Sequence, residues 1–295
     1  MSDVLRGKVA VITGGTRGLG LAIARAFAAE GAAVVLSGRS SQAVEAAVAE
    51  LTTSGSALVS GVRCDVSDPG QVQTLAAFTL QKHGRFDVWV NNAGVTAPFG
   101  PTFATSPAEF ENILRTNVLG VYYGSRAALE HFLPRRAGKL INLLGRGARS
   151  PAPLQNPYGA SKAWVTSFTA ALAKEYAGRG VGIFALAPGM MRTDMLLRPT
   201  AFVGYAEQLG GAFQTVLRMW SQPPEAAARR TVWLASAATD GKTGLTAQAM
   251  GPAAMLAGSL RELIRRLTGK AETLDVQVVS VEPEPFGESP VQLTK

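Results

Sequence analysis

The chain has 295 residues, 47% of them hydrophobic, with a net charge of +8, two histidines and one cysteine. That length and apolar content supply the core of one large α/β domain, and the lone Cys64 excludes an internal disulfide and fits a reducing, cytoplasmic setting. Basic residues are scattered, no cleavable leader or membrane-length apolar span is present, and His83 and His131 stand without partners at ligand spacing, so neither nucleic acid, membrane nor catalytic metal is expected.

Residues 8–13 read Lys-Val-Ala-Val-Ile-Thr, a β-branched run suited to a strand buried on both faces. It leads into Gly14-Gly15-Thr16-Arg17-Gly18-Leu19-Gly20, an alanine-rich helix over 21–30 and a second apolar run over 32–37, the spacing of a βαβ unit. Glycines bring main-chain N–H groups close to a pyrophosphate, and the helix N-terminus adds partial positive charge. A glycine turn alone is a weak sign. Flanked by two strands, it predicts dinucleotide binding, with Gly14, Thr16, Arg17, Gly18, Leu19 and Gly20 as the contact segment.

The second run ends Val35-Leu36-Ser37-Gly38-Arg39, without the acid that holds a ribose 2′-hydroxyl in NAD sites. Taken singly, Arg17 and Arg39 read as solvated surface arginines. Together they suit a 2′-phosphate, which guanidinium binds in a bidentate fork, so NADP(H) is expected in preference to NAD(H).

A strand over 57–64 ends in Asp65-Val66, placed to contact an adenine, and one over 86–90 runs into Asn91-Asn92-Ala93-Gly94. A helix over 107–132 carries Asn117; strands over 139–144 and 182–186 follow, with a helix over 157–177 between them. The alternation predicts an α/β fold over residues 1–250: a single-domain, Rossmann-type, doubly wound parallel sheet with helices on both faces. Ligands of such sheets gather at the carboxyl ends of the strands. The glycine turn, Asp65, Asn91 to Gly94, Gly145 and Pro188-Gly189 all fall there.

Tyr158 and Lys162 stand four residues apart on the 157–177 helix and so share a face. A free phenol has a pKa of about 10; a neighbouring ammonium and an oxidised nicotinamide are expected to pull it toward the working range. Tyr122 and Arg126 have the same spacing without assigned chemistry. Placement after a strand end is what singles out Tyr158 and Lys162.

In order, Thr13-Gly14-x-x-x-Gly18-x-Gly20, Asp65, Asn91-Asn92-Ala93-Gly94, Asn117, Tyr158-x-x-x-Lys162 and Pro188-Gly189-x-x-x-Thr193 resemble the motifs of the short-chain dehydrogenase/reductase family. The likeness runs on through Trp233-Leu234-Ala235-Ser236 and Thr243-Gly244. It implies Tyr158 as general acid/base, Lys162 as anchor of the nicotinamide ribose and depressor of the Tyr158 pKa, and Asn117 as holder of a water in the proton path. It also implies Thr193 at the nicotinamide carboxamide, and a homodimer or homotetramer.

The family carries serine where this chain has Gly145. Losing one such hydrogen bond costs about 1–3 kcal/mol, roughly 10- to 200-fold in rate. Three readings stand open. Asn142, Arg146, Ser150 or the substrate replaces the hydroxyl; glycine makes room for a bulkier substrate while Tyr158 acts alone; or the protein binds cofactor without turnover. Arg146 and Arg149 flank the loop, each either solvent-facing or a contact for an acidic group.

Residues 190–222, rich in Met, Leu and Phe, read as a mobile lid over an apolar substrate. The extension over 251–295 is expected to hold a helix over 253–267 with Leu256, Leu260, Leu263, Ile264 and Leu267 on one face, then a strand over 276–281 and an extended tail from Glu282. The helix either packs on its own subunit or reaches a neighbour. The expected function is an NADP-dependent oxidoreductase moving hydride between nicotinamide and a small, apolar carbonyl or alcohol. The alternatives are an NADP(H) sensor or scaffold without redox turnover, and a non-redox lyase or isomerase using Tyr158.

Overall fold

The computed structural model describes residues 3–53, 58–209, 211–268 and 274–283. The chain begins β1 (Val9–Ile12), α1 (Gly18–Ala29), β2 (Ala33–Gly38), α2 (Ser41–Thr53), β3 (Val59–Arg63), α3 (Pro69–His83) and β4 (Val88–Asn91). It continues with α4 (Pro107–Leu114), α5 (Gly120–Arg135), β5 (Gly138–Leu143), α6 (Asn156–Glu175) and β6 (Val181–Ala187). After these come β7 (Met190–Met191), α7 (Asp194–Leu197), β8 (Thr200–Phe202), α8 (Gly211–Trp220), β9 (Ser221–Gln222), α9 (Glu225–Ala235), β10 (Thr246–Gln248), α10 (Pro252–Thr268) and β11 (Val279–Val281).

Seven strands form one parallel sheet in the order β10-β6-β5-β4-β1-β2-β3, the doubly wound α/β architecture expected. β1 and β4 are buried along their whole length, which is why they read as unbroken apolar runs. One face is sealed by Ile23, Phe27, Leu51 and Leu234 from α1, α2 and α9. The other is sealed by Leu75, Ala128, Phe132 and Leu172 from α3, α5 and α6 around Trp89. Strand order reverses between β1 and β4, so a crevice opens at their carboxyl ends.

The strand expected over 57–64 is shorter, and Ala57 lies outside the described residues. The helix expected over 107–132 is interrupted by a π-turn over Arg115–Leu119. There Asn117 exchanges two hydrogen bonds of 2.9 Å with the main chain of Val95, a fixed pairing that accompanies the extra residue in the turn.

The 190–222 segment leaves and re-enters the fold through one neck. β7 pairs with β9, and Arg192 donates its N–H to Gln222 O at 2.8 Å and Nε–H to Ser221 Oγ at 2.9 Å. β8 lies between Phe99, which bridges to Ala201, and β11, whose parallel pairing runs Val279 to Thr200 through Val281 to Phe202. The extension is thus joined to the 190–222 segment. The tail expected from Glu282 continues past Pro283 outside the described residues.

α10 forms where its periodicity places it, but its leucine face does not pack on the described residues. Leu256 is 72% exposed and Leu267 78%, while Gly258 and Glu262 on the opposite side are buried. Two local contacts select that side. A Cβ at Gly258 would overlap Met219 O, so only glycine lets α10 lie this close to α8. Glu262 accepts from Arg265 Nε at 2.7 Å, Arg266 Nε at 3.2 Å and Arg218 Nε at 3.4 Å. These bonds, Arg265 foremost, pull its carboxyl down to about 2 against the opposing effect of burial.

A depressed carboxylate contributes stability above its ordinary pKa and loses it as pH falls through the folded value. Acidification from about pH 5 toward about pH 2 should therefore loosen α10 from α8. Glu262→Gln should show the same faster hydrogen exchange in α10 already at neutral pH. Unchanged exchange in that variant would mean the carboxylate does not hold the helix.

Candidate active site

At the carboxyl end of β1 the chain turns on glycines whose space is taken. Gly14 and Gly18 have φ of +63° and +54°, and a Cβ at Gly20 would overlap Gly14 O. Asn92 Nδ2 donates to Thr13 O at 2.9 Å and Gly14 O at 3.0 Å, while Thr13 Oγ1 accepts from the N–H groups of Asn92 and Ala93. Asn92, which sequence reasoning had not singled out, therefore ties β4 to the turn. No side chain caps the first N–H groups of α1. A backbone cradle leading to an uncapped helix start fits a pyrophosphate.

Asn91 sits differently from expectation. Strand alternation points it the same way as Trp89, beneath α5, where Oδ1 accepts from Trp89 Nε1 at 2.8 Å and Nδ2 donates to Asn142 Oδ1 at 2.9 Å. Asn142 in turn donates to Thr169 Oγ1 at 3.0 Å and is fully buried, so its amide is not presented to the crevice. Val66 also buries its side chain, against Gly120. Asn91 and Val66 thus offer a ligand only main chain. Asp65 Oδ1 is held by Ser67, accepting from its N–H at 3.0 Å and its hydroxyl at 2.8 Å.

Arg17 and Arg39 are both exposed at the ends of β1 and β2. A third guanidinium joins Arg39: Arg63 Nε donates to Arg39 O at 3.0 Å. Its signal was register, since Arg63 closes β3 opposite Gly38.

The other end of the crevice gathers four segments. Lys162 is buried and donates to Leu143 O at 3.1 Å. A Cβ on Gly94 would stand 3.3 Å from Asn117 Oδ1 and 3.8 Å from Lys162 Nζ. Ser161, unremarked in the sequence, accepts from Asn117 Nδ2 at 3.1 Å and donates to Tyr158 O at 2.7 Å, so it locks α6 to the π-turn. The glycine at 189, with φ of +77°, turns the chain so that Thr193 lies beside Gly18, its Cγ2 3.3 Å from where a Cβ would be. Pro188 is buried at the base of that turn and Leu19 packs partly on the core.

Gly145 is the revealing position. A Cβ there would overlap the Tyr158 hydroxyl, lying 3.1 Å from Cζ and 3.3 Å from Lys162 Cγ. The space left by a missing side chain is filled by the tyrosine rather than opened to a larger substrate. Gly147, at φ +92°, lets the same loop press on the first turn of α6, where its Cβ would overlap Gly159 Cα. Arg146 and Ser150 are exposed on that loop; Arg149 turns its guanidinium to Gln248 Oε1 at 2.9 and 3.1 Å, in the amide orientation that satisfies both.

In the protein alone, loss of water is the largest electrostatic effect at this pair. Burial pushes the Tyr158 phenol up to about 12 and the Lys162 ammonium down to about 8. Lys162 Nζ lies 5.7 Å from the centre of the Tyr158 ring and engages a carbonyl, so loss of water outweighs its attraction for a phenolate. Among the described residues there is no group of three or more metal-ligating side chains, and no helix long and apolar enough to cross a membrane.

Comparison with known proteins agrees with this geometry. Residues 8–201 match the family model described as short chain dehydrogenase. The chain is 36% identical over 248 residues to the 3beta-hydroxysteroid dehydrogenase 1 of Eggerthella lenta, covering 83% of this chain and 93% of that one. It is 36% identical over 195 residues to a 3-oxoacyl-(acyl-carrier-protein) reductase of Chlamydia pneumoniae, covering 66% and 78%. The 3-ketoacyl-(acyl-carrier-protein) reductase of Brucella melitensis, solved with NADH, superposes with a TM-score of 0.73 at 30% identity over 83% of this chain and 97% of that one. The chain belongs to the short-chain dehydrogenase family and is an oxidoreductase of that type.

In the protein alone, ultraviolet difference spectra between wild type and Tyr158→Phe should show no phenolate from Tyr158 through pH 10. A phenolate signal with a midpoint near neutrality would contradict the dominance of burial.

Proposed function

We propose that this chain is an NADP(H)-dependent oxidoreductase acting between a carbonyl and an alcohol, with Tyr158 as the acid/base. The observation carrying it is the meeting of Gly94, Asn117, Tyr158 and Lys162 beside the glycine turn. Gly14, Thr16, Arg17, Gly18, Leu19 and Gly20 would hold the pyrophosphate, and Arg17, Arg39 and Arg63 the 2′-phosphate. Asp65 and the main chain of Val66 would hold the adenine; the Asn91 main chain, Ala93, Gly94, Pro188, Gly189 and Thr193 would hold the nicotinamide end. When bound, the nicotinamide supplies or accepts the hydride.

Tyr158 Oη donates a proton to the substrate oxygen in reduction and accepts one in oxidation. In the protein alone burial keeps the phenol protonated, the form that donates in reduction. Lys162 would hold a ribose hydroxyl of the bound cofactor and would keep positive charge within range of the oxygen that changes charge. Asn117, bound three ways through its side chain, fixes the wall opposite Gly94. With glycine at 145, the substrate oxygen is held by the tyrosine alone. Phe99, Leu154, Phe202 and Leu209 gather at the lid, which supports a small, apolar substrate.

Exposed Phe110, Leu114, Leu119 and Tyr122 form an apolar surface near the Trp164–Phe168 stack, and that supports a homodimer. A second reading, NADP(H) binding without turnover, draws on the close approach of the Tyr158 hydroxyl to Gly145.

Tyr158→Phe should abolish NADPH oxidation across a panel of carbonyl compounds while NADPH affinity stays nearly intact; retained turnover would remove Tyr158 from the mechanism. Gly145→Ala should lower kcat by roughly 10- to 100-fold, because a methyl there displaces the hydroxyl. A wild-type rate would mean that the overlap at 145 does not matter. Arg17→Ala with Arg39→Ala should weaken NADPH by about tenfold or more relative to NADH. An unchanged ratio would contradict the 2′-phosphate assignment.

A further inference from the structure

The outward face of α10 carries Leu256, Ala257, Leu260, Leu263, Ile264 and Leu267 across roughly 120° of the helix. Among the described residues these leucines form the most exposed apolar stripe, between 54% and 78% accessible. The helix cannot turn them inward without breaking the bonds of Glu262 to Arg218, Arg265 and Arg266 and lifting Gly258 off Met219. Among the described residues, nothing covers the stripe.

Charge indicates the nature of a partner for the stripe. Arg261 and Arg266 are exposed on the two borders of the apolar arc, and the one acid of α10, Glu262, is buried on the far side. Two such faces from two copies would bring arginine borders together with no exposed acid on either helix to pair them. An anionic surface meets both borders favourably, and the net charge of +8 adds attraction at longer range. A 17-residue helix with three arginines is suited to lying along a bilayer rather than crossing it.

We propose that the α10 face docks on an anionic lipid surface, its leucines in the acyl boundary and Arg261 and Arg266 at the headgroup phosphates. This revises the expectation of no membrane contact, which rested on the lack of a spanning segment. The inference stands apart from the catalytic reading. α10 rests on α8 and β11 on β8, so the docked surface would be the outer layer of the lid.

The test is co-sedimentation of the full chain with vesicles of phosphatidylcholine alone, or with about one-third phosphatidylglycerol. The chain should bind the anionic vesicles and release with salt. Leu260→Ser with Leu263→Ser should weaken binding by about tenfold or more. Arg261→Gln should weaken it by about fivefold. All three side chains are exposed, so melting temperatures should not move. Failure to bind anionic vesicles would overturn the proposal, as would binding that the leucine changes leave intact. It would also fall to a dimer, seen by sedimentation equilibrium, that the same leucine changes split into monomers.

Discussion

The site rests on one steric constraint: segments approach so closely that a Cβ at certain glycines would overlap its neighbour. At 145 the missing Cβ gives the Tyr158 hydroxyl its seat, and at 147 it lets the strand-end loop lie on the helix that carries that tyrosine. At 20 it lets α1 start against the turn of Gly14, and at 124 it lets α5 reach the Trp89 and Asn91 pair. Each is a position where even alanine would force neighbouring atoms apart, and in packed interiors such displacement commonly costs about 1–3 kcal/mol. The two ends of the crevice are thus defined by the same device.

Two hydrogen-bonded sets then divide the labour beneath that frame. Asn91, Asn142, Ser125 and Thr169 are wired together inside the sheet and set the relative height of β4, β5 and their helices. Asn117, Ser161, Val95 and Lys162 form the wall that faces the crevice. The first set is far from solvent and completes its bonds internally, which is what buried amides require. The second ends in a buried ammonium and a half-buried phenol, and loss of water opposes ionisation of each.

Most of the fold was legible in the chain because a parallel sheet buried on both faces leaves unbroken β-branched runs, and glycine turns mark where they stop. The glycine cradle, Lys162 and Tyr158 could be read the same way, from spacing. What could not be read depended on three-dimensional direction. Asn91 and Asn92 are adjacent in the motif, yet strand alternation sends one into the interior and the other to the turn. Arg63 became visible only through its pairing with Gly38. For α10 the periodicity was plain, but the buried side was chosen by Gly258 and Glu262, because one close backbone contact and one triply bound carboxylate outweighed the leucines. Gly145 looked like a loss; the structure shows its space in use.

A crystal structure with NADP and an unreactive ketone tests this account most directly. It should show Tyr158 Oη still seated over Gly145 and within about 2.6–3.2 Å of the ketone oxygen, with Lys162 on a ribose hydroxyl. A hydroxyl turned out of the crevice, or a crevice filled by the chain's own side chains with the ketone elsewhere, would contradict it.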